Sequence, residues 1–133
     1  MATSRWQTWN SAPFRIERNL GNAPGTVILR FSGPFTVRDA YSCLPPMELK
    51  NMLELEPATG EAPMVKQILD LTACPYMDSS GVGMIVTHYV RCQRKGVRLI
   101  AAGTSAKVRE VFKVTKVDSL ISLFATMEEA ERV

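Results

Sequence analysis

The sequence predicts an α/β fold in which helices pack against a β-sheet. The first observation behind this prediction is a series of short β-branched and aliphatic runs, most of them bounded by turn residues such as Gly and Pro. The second is that segments with apolar residues at helical spacing follow these runs through the second half of the chain. Strands that alternate with helices form a sheet with helices on its faces. The 133 residues are 46% hydrophobic and 22% charged, which suits one globular domain.

We expect a single domain over residues 1–133, with a core at about residues 14–132 and a loose polar arm at residues 1–12. The apolar run MVKQILDL is nearly continuous, which is typical of a strand buried on both faces. The apolar and alternating runs together predict five strands, the first a short edge strand, at residues 14–19, 26–33, 64–71, 97–103 and 119–125.

Helices are predicted between these runs. Residues 40–55 have helical spacing, but Pro45 and Pro46 interrupt it, so we expect a break and a second helical piece at residues 47–55. A longer helix begins at Ser79 or Ser80 and runs to residue 95. Gly96 is expected to end this helix. Thr104 or Ser105 is the expected N-cap of the next helix, and Thr126 is the expected N-cap of the last one.

Charge and cysteine content limit the functional classes. The net charge is +3 with acidic and basic residues interleaved along most of the chain, so nucleic-acid binding is not predicted. The cysteines are Cys43, Cys74 and Cys92, an odd number without C-x-x-C spacing, which favours reduced thiols in the cytoplasm. The sequence contains neither a signal peptide nor an apolar stretch of the ~18 residues that a spanning helix needs. We therefore expect a cytoplasmic protein without direct membrane insertion.

A helical wheel of residues 82–95 predicts which side of the long helix faces the sheet. The inner arc contains the apolar residues Val82, Ile85, Val86, Tyr89, Val90 and Cys92. The opposite side contains Gly83, Met84, Thr87, His88, Arg91, Arg94 and Lys95. Met84 is then a large apolar residue on the outside beside the bare backbone of Gly81 and Gly83. Two interpretations stay open for it: an adaptable partner contact, or a side chain that fills a gap under a neighbouring loop.

The segment MDSSG, at the start of this helix, has three candidate roles: nucleophile, helix cap or switch. A serine nucleophile needs a base within hydrogen-bond reach, but the single histidine, His88, lies nine residues beyond Ser79, about 13 Å along a helix. His88 and Cys92 are too few ligands for zinc, and GVGM lacks the ending of a P-loop. We therefore expect no enzyme, no cofactor and no metal.

Capping and switching remain compatible with each other at this helix start. Asp and Ser are preferred N-cap residues, so one of Asp78, Ser79 and Ser80 is expected to cap. At least one serine hydroxyl then stays exposed, and the positive end of a helix accepts a phosphate there. At a protein contact the same phosphate adds nearly two negative charges, which can abolish docking without unfolding the domain.

The segment ILDLTACPYMDSSGVGMIV resembles the signature of STAS domains, the sulfate-transporter and anti-sigma-factor-antagonist fold, and VREVF and TMEEA resemble its later motifs. The resemblance covers residues 65–130 and, more loosely, the chain from residue 26. It implies a central mixed β-sheet of four to five strands packed against about four α-helices. It also implies an anti-sigma factor antagonist that binds an anti-sigma factor with serine kinase activity and so releases a sigma factor.

The resemblance further implies the site. The kinase would phosphorylate Ser79, the first serine of the motif, with Ser80 as the alternative, and a serine phosphatase would reverse it. The residues expected to bind the partner are Asp78, Ser79, Ser80, Gly81, Gly83 and Met84. The alternative function is a STAS scaffold without a phosphoswitch, either in a stress-sensing complex or as a cytoplasmic accessory of a membrane lipid transporter. Formation of a homodimer is left open.

Overall fold

The computed structural model describes residues 14–36, 54–57 and 59–133, and within them it contains five strands, three α-helices and one 3-10 helix. The strands are β1 Arg15–Leu20, β2 Thr26–Ser32, β3 Lys66–Ala73, β4 Arg98–Ala102 and β5 Ser122–Phe124. The α-helices are α1 Ser79–Lys95, α2 Ala106–Val114 and α3 Met127–Arg132, and the 3-10 helix is Val117–Ser119.

The strands form one mixed sheet in the order β1-β2-β3-β4-β5. The first pair, β1 and β2, is antiparallel, and the later pairs are parallel. This arrangement confirms the predicted α/β fold with a mixed sheet and the predicted edge position of the first strand. Parallel neighbours need a crossover connection, and α1 and α2 supply two of these crossovers.

Most predicted boundaries agree with the structure to within two residues, and the last strand is the exception. It was predicted over residues 119–125 but is only Ser122–Phe124. The backbone of Lys116 adopts a left-handed conformation with φ 65°, and the Ser119 hydroxyl donates a 2.7 Å hydrogen bond to the carbonyl of Lys116. This local turn keeps the chain helical through Ser119 and delays the strand.

The predictions for residues 1–12 and for the helical pieces between residues 40 and 53 lie outside the described residues. Leu55 is described, and its placement at the end of a helix is wrong, because the chain is irregular there. The side chain of Leu55 is nevertheless buried in the core.

The two faces of the sheet have cores of different size. The face under α1 and α2 holds the larger cluster, to which β3 contributes Leu69 and Leu71. The opposite face holds a small cluster in which Ile68 and Ile100 lie under Ala130 of α3. Because side chains alternate along a strand, β3 is buried on both faces, as its continuous apolar run predicted.

The sheet has two distinct ends, which matter for function. The carboxyl ends of the parallel strands lie beside the N-termini of α1 and α2, since each helix follows a strand directly. We call this the carboxyl end and the opposite side the amino end. In parallel α/β sheets, functional groups gather at the carboxyl end, and the segment MDSSG lies there.

Candidate functional site

The loop between β3 and α1 is held by backbone bonds to the chain that follows β2. The carbonyl of Tyr76 accepts a 2.9 Å bond from the amide of Phe35, and the amide of Asp78 donates a 3.3 Å bond to the carbonyl of Phe35. Met77 is fully buried and pairs with Phe35 in a short parallel bridge. The start of α1 is therefore fixed in position before any partner binds.

The loop also contains a buried thiol. Cys74 is fully buried, and burial raises the pKa of its thiol to about 11. The thiolate is the reactive form of cysteine, so this residue stays protonated near neutral pH and acts as a packed side chain. Its Sγ lies 3.4 Å from the carbonyl oxygen of Tyr76, which adds a weak bond within the loop.

Asp78 is the N-cap of α1. Its backbone is extended, with φ −95° and ψ 179°, and its Oδ1 accepts a 2.9 Å hydrogen bond from the amide of Gly81. Of the three candidate caps, the aspartate is therefore the one that caps. Ser79 and Ser80 become the first two residues of the helix, so neither hydroxyl is consumed by capping.

The two serines differ in accessibility. Ser79 is exposed and Ser80 is half-buried. Within the part of the chain that the structure describes, neither hydroxyl takes part in a hydrogen bond. The first turn of α1 contains no acidic residue, and among the described residues of this helix start the capping carboxylate of Asp78 offsets the positive end of the 17-residue helix. The geometry suits an anion on Ser79.

The two glycines of the segment have different environments, and the prediction that both lie outside is wrong for Gly81. Gly81 is buried, and a Cβ built on it would overlap the carbonyl oxygen of Phe35 and crowd Cγ of Met77. Gly83 is exposed, and a Cβ there would meet no atom within 4 Å. Gly81 therefore permits the close approach of helix and loop, whereas Gly83 leaves backbone open to solvent.

The wheel also misplaces two apolar side chains of α1. Met84, expected on the outer face, is half-buried and packs against the larger core cluster. This contact agrees with the gap-filling interpretation and leaves part of the side chain accessible. Val90, expected on the inner arc, is 41% exposed. The remaining members of that arc are buried or half-buried as predicted.

His88 is the largest departure from the sequence prediction, because it was expected on the surface and is fully buried. Its Nε2 makes a short contact with the side-chain oxygen of Gln67 on β3, and the Sγ of Cys92 lies 3.6 Å from the same nitrogen. Burial, together with the nearby charge of Arg91, lowers the pKa of His88 to about 4. His88 is thus a neutral core residue near neutral pH and offers Ser79 no base.

The sequence contained a signal for this buried pair that the wheel could not use. Gln67 interrupts an otherwise apolar run, and a polar side chain on a buried strand needs a partner from the helix packed above it. His88 supplies that partner. The Nδ1 of His88 is buried and has no hydrogen bond among the described residues.

The described residues show neither a candidate metal site nor a candidate membrane-spanning helix. They contain no group of three or more His, Cys, Asp or Glu side chains that could hold a metal ion. None of their helices has both the length and the apolar character needed to cross a membrane.

Comparison with known families identifies the fold. The model of the STAS domain family matches residues 18–130, so this chain belongs to the STAS domain family. The mixed five-stranded sheet and its helices are the STAS fold found in anti-sigma factor antagonists.

Relatives of two kinds share this fold. Solute carrier family 26 member 10 of Mus musculus is 28% identical over 123 residues, which cover 89% of this chain but only 18% of that protein. The murine anion transporter Slc26a9 superimposes with a TM-score of 0.69 and 11% identity, covering 97% of this chain and 24% of that one. The unphosphorylated form of the anti-sigma factor antagonist SpoIIAA from Bacillus superimposes with a TM-score of 0.61 and 22% identity, covering 88% and 91% of the two chains.

Proposed function

We propose that this STAS domain is an anti-sigma factor antagonist whose binding is switched off by phosphorylation of Ser79. One observation carries the proposal: Ser79 is exposed at the first position of α1, directly after a cap supplied by Asp78. SpoIIAA, which shares the fold, has been solved in phosphorylated and unphosphorylated forms. This supports the proposal that a STAS domain of this architecture tolerates the modification.

The local electrostatics explain how such a switch would act. A phosphate on Ser79 would lie against the N-terminus of α1, where the helix dipole favours negative charge by about 0.3–1 kcal/mol. The carboxylate of Asp78, next in sequence, repels it. The two effects oppose each other, so the fold changes little in stability. A partner surface, in contrast, would meet nearly two added negative charges that it must desolvate or pair.

The partner in this proposal is an anti-sigma factor with serine kinase activity, and a serine phosphatase resets the switch. Asp78, Ser79, Ser80, Gly83 and the accessible part of Met84 would form the contact surface. Gly81 would act indirectly, because its missing side chain allows the loop to pack against α1. The domain then works as a non-enzymatic binding module in the cytoplasm, folded as one unit over residues 1–133.

A second candidate function is supported by one of the relatives described above. That relative, a solute carrier, is 28% identical to this chain, and the chain spans about a fifth of its length. In this second function the domain serves a membrane transporter. The alternative derived from the sequence, an accessory of a membrane lipid transporter, is of the same kind. A scaffold role in a stress-sensing complex has no comparable observation in its favour.

The two functions are separated by a phosphorylation experiment with matched serine variants. Incubate the wild type, Ser79→Ala and Ser80→Ala with the cognate kinase and ATP, and measure phosphate incorporation by mass spectrometry. We expect incorporation in the wild type and in Ser80→Ala but none in Ser79→Ala. Incorporation that persists in Ser79→Ala and vanishes in Ser80→Ala would move the switch to the second serine. No incorporation in any of the three would favour the transporter-linked function.

A further inference from the structure

The amino end of the sheet collects exposed apolar side chains. Among the described residues, seven large hydrophobic side chains are exposed. Five of these seven lie at the amino end, and they are Leu20, Val65, Val114, Leu120 and Val133. The carboxyl end, where the proposed switch lies, has only Tyr76 among the described residues.

Hydrogen bonds and strand pairing place three of these side chains beside the sheet itself. Leu20 is the last residue of β1, which ends beside the start of β2. Val65 precedes β3, and its carbonyl accepts a 2.9 Å bond from the amide of Arg98 at the start of β4. The carbonyl of Val133 accepts a 3.0 Å bond from Nζ of Lys66 at the start of β3.

The other two apolar side chains lie where the helices on the larger-core face end. Val114 is the last residue of α2 and is 76% exposed. Leu120 follows the 3-10 helix and is 45% exposed. Leu120 and Arg98 line the same open depression of about 350 Å³ between the end of α1 and the start of β5. The five side chains therefore belong to separate turns and ends that share one side of the domain.

Basic residues lie beside the apolar side chains at the ends of α1 and α2. Residues 91–116 contain eight lysines and arginines and a single acid, Glu110, whereas the rest of the chain has eight basic and twelve acidic residues. Five exposed cations of this segment lie at the amino end, and we call them the basic rim: Arg94, Lys95, Arg98, Lys113 and Lys116. The acids at this end include Glu56, which pairs with Lys95 at 3.1 Å, and Asp118. Beside Leu20 lie two more, Glu61, which pairs with Arg18, and Glu131, which accepts hydrogen bonds from Asn22.

We propose that the amino end of this domain is a docking surface for an anionic membrane. Cations of the basic rim would attract lipid headgroups, and the exposed aliphatic side chains would enter the boundary between headgroups and acyl chains. The attachment is peripheral, because the apolar side chains are single residues on separate turns. A peptide partner would instead favour one continuous groove, and a single-stranded nucleic acid would favour aromatic stacking platforms.

The proposed orientation leaves the switch accessible. Ser79 and the basic rim lie at opposite ends of α1, whose 17 residues span about 25 Å at 1.5 Å per residue. That distance exceeds the Debye length of about 8 Å at physiological salt. A charge on Ser79 should therefore leave membrane binding unchanged, and the inference stands independently of the proposed phosphoswitch.

The test is co-sedimentation of the full chain with vesicles. One vesicle contains equal parts of phosphatidylcholine and phosphatidylglycerol, and the other contains phosphatidylcholine alone. A Lys or Arg near an anionic surface strengthens binding about fivefold, so five cations predict binding to the anionic vesicle that is at least about a hundredfold tighter. High salt should weaken this binding strongly.

Matched charge reversals on one helix localise the surface. The double variant Lys113→Glu/Lys116→Glu should weaken binding to anionic vesicles by at least about tenfold. The control Lys107→Glu/Arg109→Glu reverses two exposed cations at the other end of α2 and should bind nearly as the wild type does. Leu120→Ser should weaken binding without changing its salt dependence, and Ser79→Asp should have no effect.

Three results would overturn the proposal. The first is equal binding to the two vesicles, and the second is equal weakening by the two double variants. The third is binding to duplex DNA or to an acidic peptide that is tighter than binding to the anionic vesicle. In that case the basic rim serves a different class of partner.

Discussion

Acidification should lower the free energy of unfolding of this domain through His88, and the burial of this side chain determines the size of the loss. The unfolded chain protonates this side chain near pH 6.5, whereas burial in the folded protein lowers its pKa to about 4. Between these values the unfolded state binds more protons, so stability is fully present above pH 6.5 and falls as the pH falls towards 4. The gap between the two pKa values corresponds to about 3 kcal/mol in total, of which about 2 kcal/mol is already lost at pH 5.

The chain has a single histidine, so the contribution of His88 to the pH dependence can be separated from those of the other ionisable groups. Urea unfolding of the wild type and of His88→Gln at pH 7 and pH 5 gives four free energies of unfolding. Glutamine keeps a polar group facing Gln67 but does not titrate, so all other ionisable groups contribute equally to the two proteins. We expect the wild type to lose about 2 kcal/mol more than the variant between the two pH values.

The ring signal of the same histidine provides a second measurement. In the folded protein its NMR titration should show no midpoint above pH 5, because the ring is fully buried. Parallel losses of stability in the wild type and His88→Gln would show that His88 is not the group responsible. A ring that titrates near its ordinary pKa in the folded protein would show instead that the side chain is solvated.

Three further substitutions and one control test the contacts at the start of α1 and at the end of α3. Gly81→Ala should destabilise the fold by about 1–3 kcal/mol in urea unfolding, because the new methyl group overlaps the carbonyl of Phe35. The control Gly83→Ala, at an open helix position, should stabilise it by about 0.5–1 kcal/mol. Asp78→Ala should cost about 1 kcal/mol through loss of the N-cap. Lys66→Met should cost about 1–3 kcal/mol and release amide protection in α3, because the ammonium bonds three carbonyls at the end of that helix.

Each of these results has a contrary outcome. Equal effects of alanine at the two glycines would show that the loop does not press against α1. An unchanged stability of Asp78→Ala would show that another group caps the helix. Unchanged hydrogen exchange in α3 of Lys66→Met would show that the apolar contacts of Ala130, rather than the lysine, hold the helix to the sheet.

Local sequence signals predicted the frame of the domain well. Gly96 ends α1 in the left-handed conformation, with φ 73°, and its amide bonds the last turn. Ser105 caps α2 by accepting a 3.2 Å bond from the amide of Val108. Thr126 and Glu129 form a reciprocal capping box at the start of α3. These signals act within a few residues, so a single sequence contains all the information they need.

Predictions that required a second element were less successful. A helical wheel sorts residues by the period of one helix. It contains no information about the neighbouring strand, where Gln67 contacts His88. It also cannot detect that the loop carrying Phe35 approaches Gly81. Lys66 was treated as part of an apolar strand, and only the fold shows that α3 returns to cover its charge.

The same limit explains why the basic rim was missed. Along the sequence, acids interleave with bases over most of the chain, and the net charge of +3 is small. Only the topology shows that the ends of α1 and α2 lie on one side, so that Lys95 and Lys113 share it. Ser79, in contrast, could be proposed from sequence because capping chemistry and the family motif both concern adjacent residues, and its role stays a prediction.

In the proposed switch, phosphate on Ser79 blocks docking without unfolding the domain. Calorimetric titration of the cognate anti-sigma factor with unmodified protein and with protein phosphorylated on Ser79 tests it directly, with the thermal transition of each form measured in parallel. We predict at least about tenfold weaker binding of the phosphorylated form and nearly equal transition temperatures. Equal affinity of the two forms, or a loss of binding accompanied by loss of the folded transition, would show that Ser79 is not such a switch.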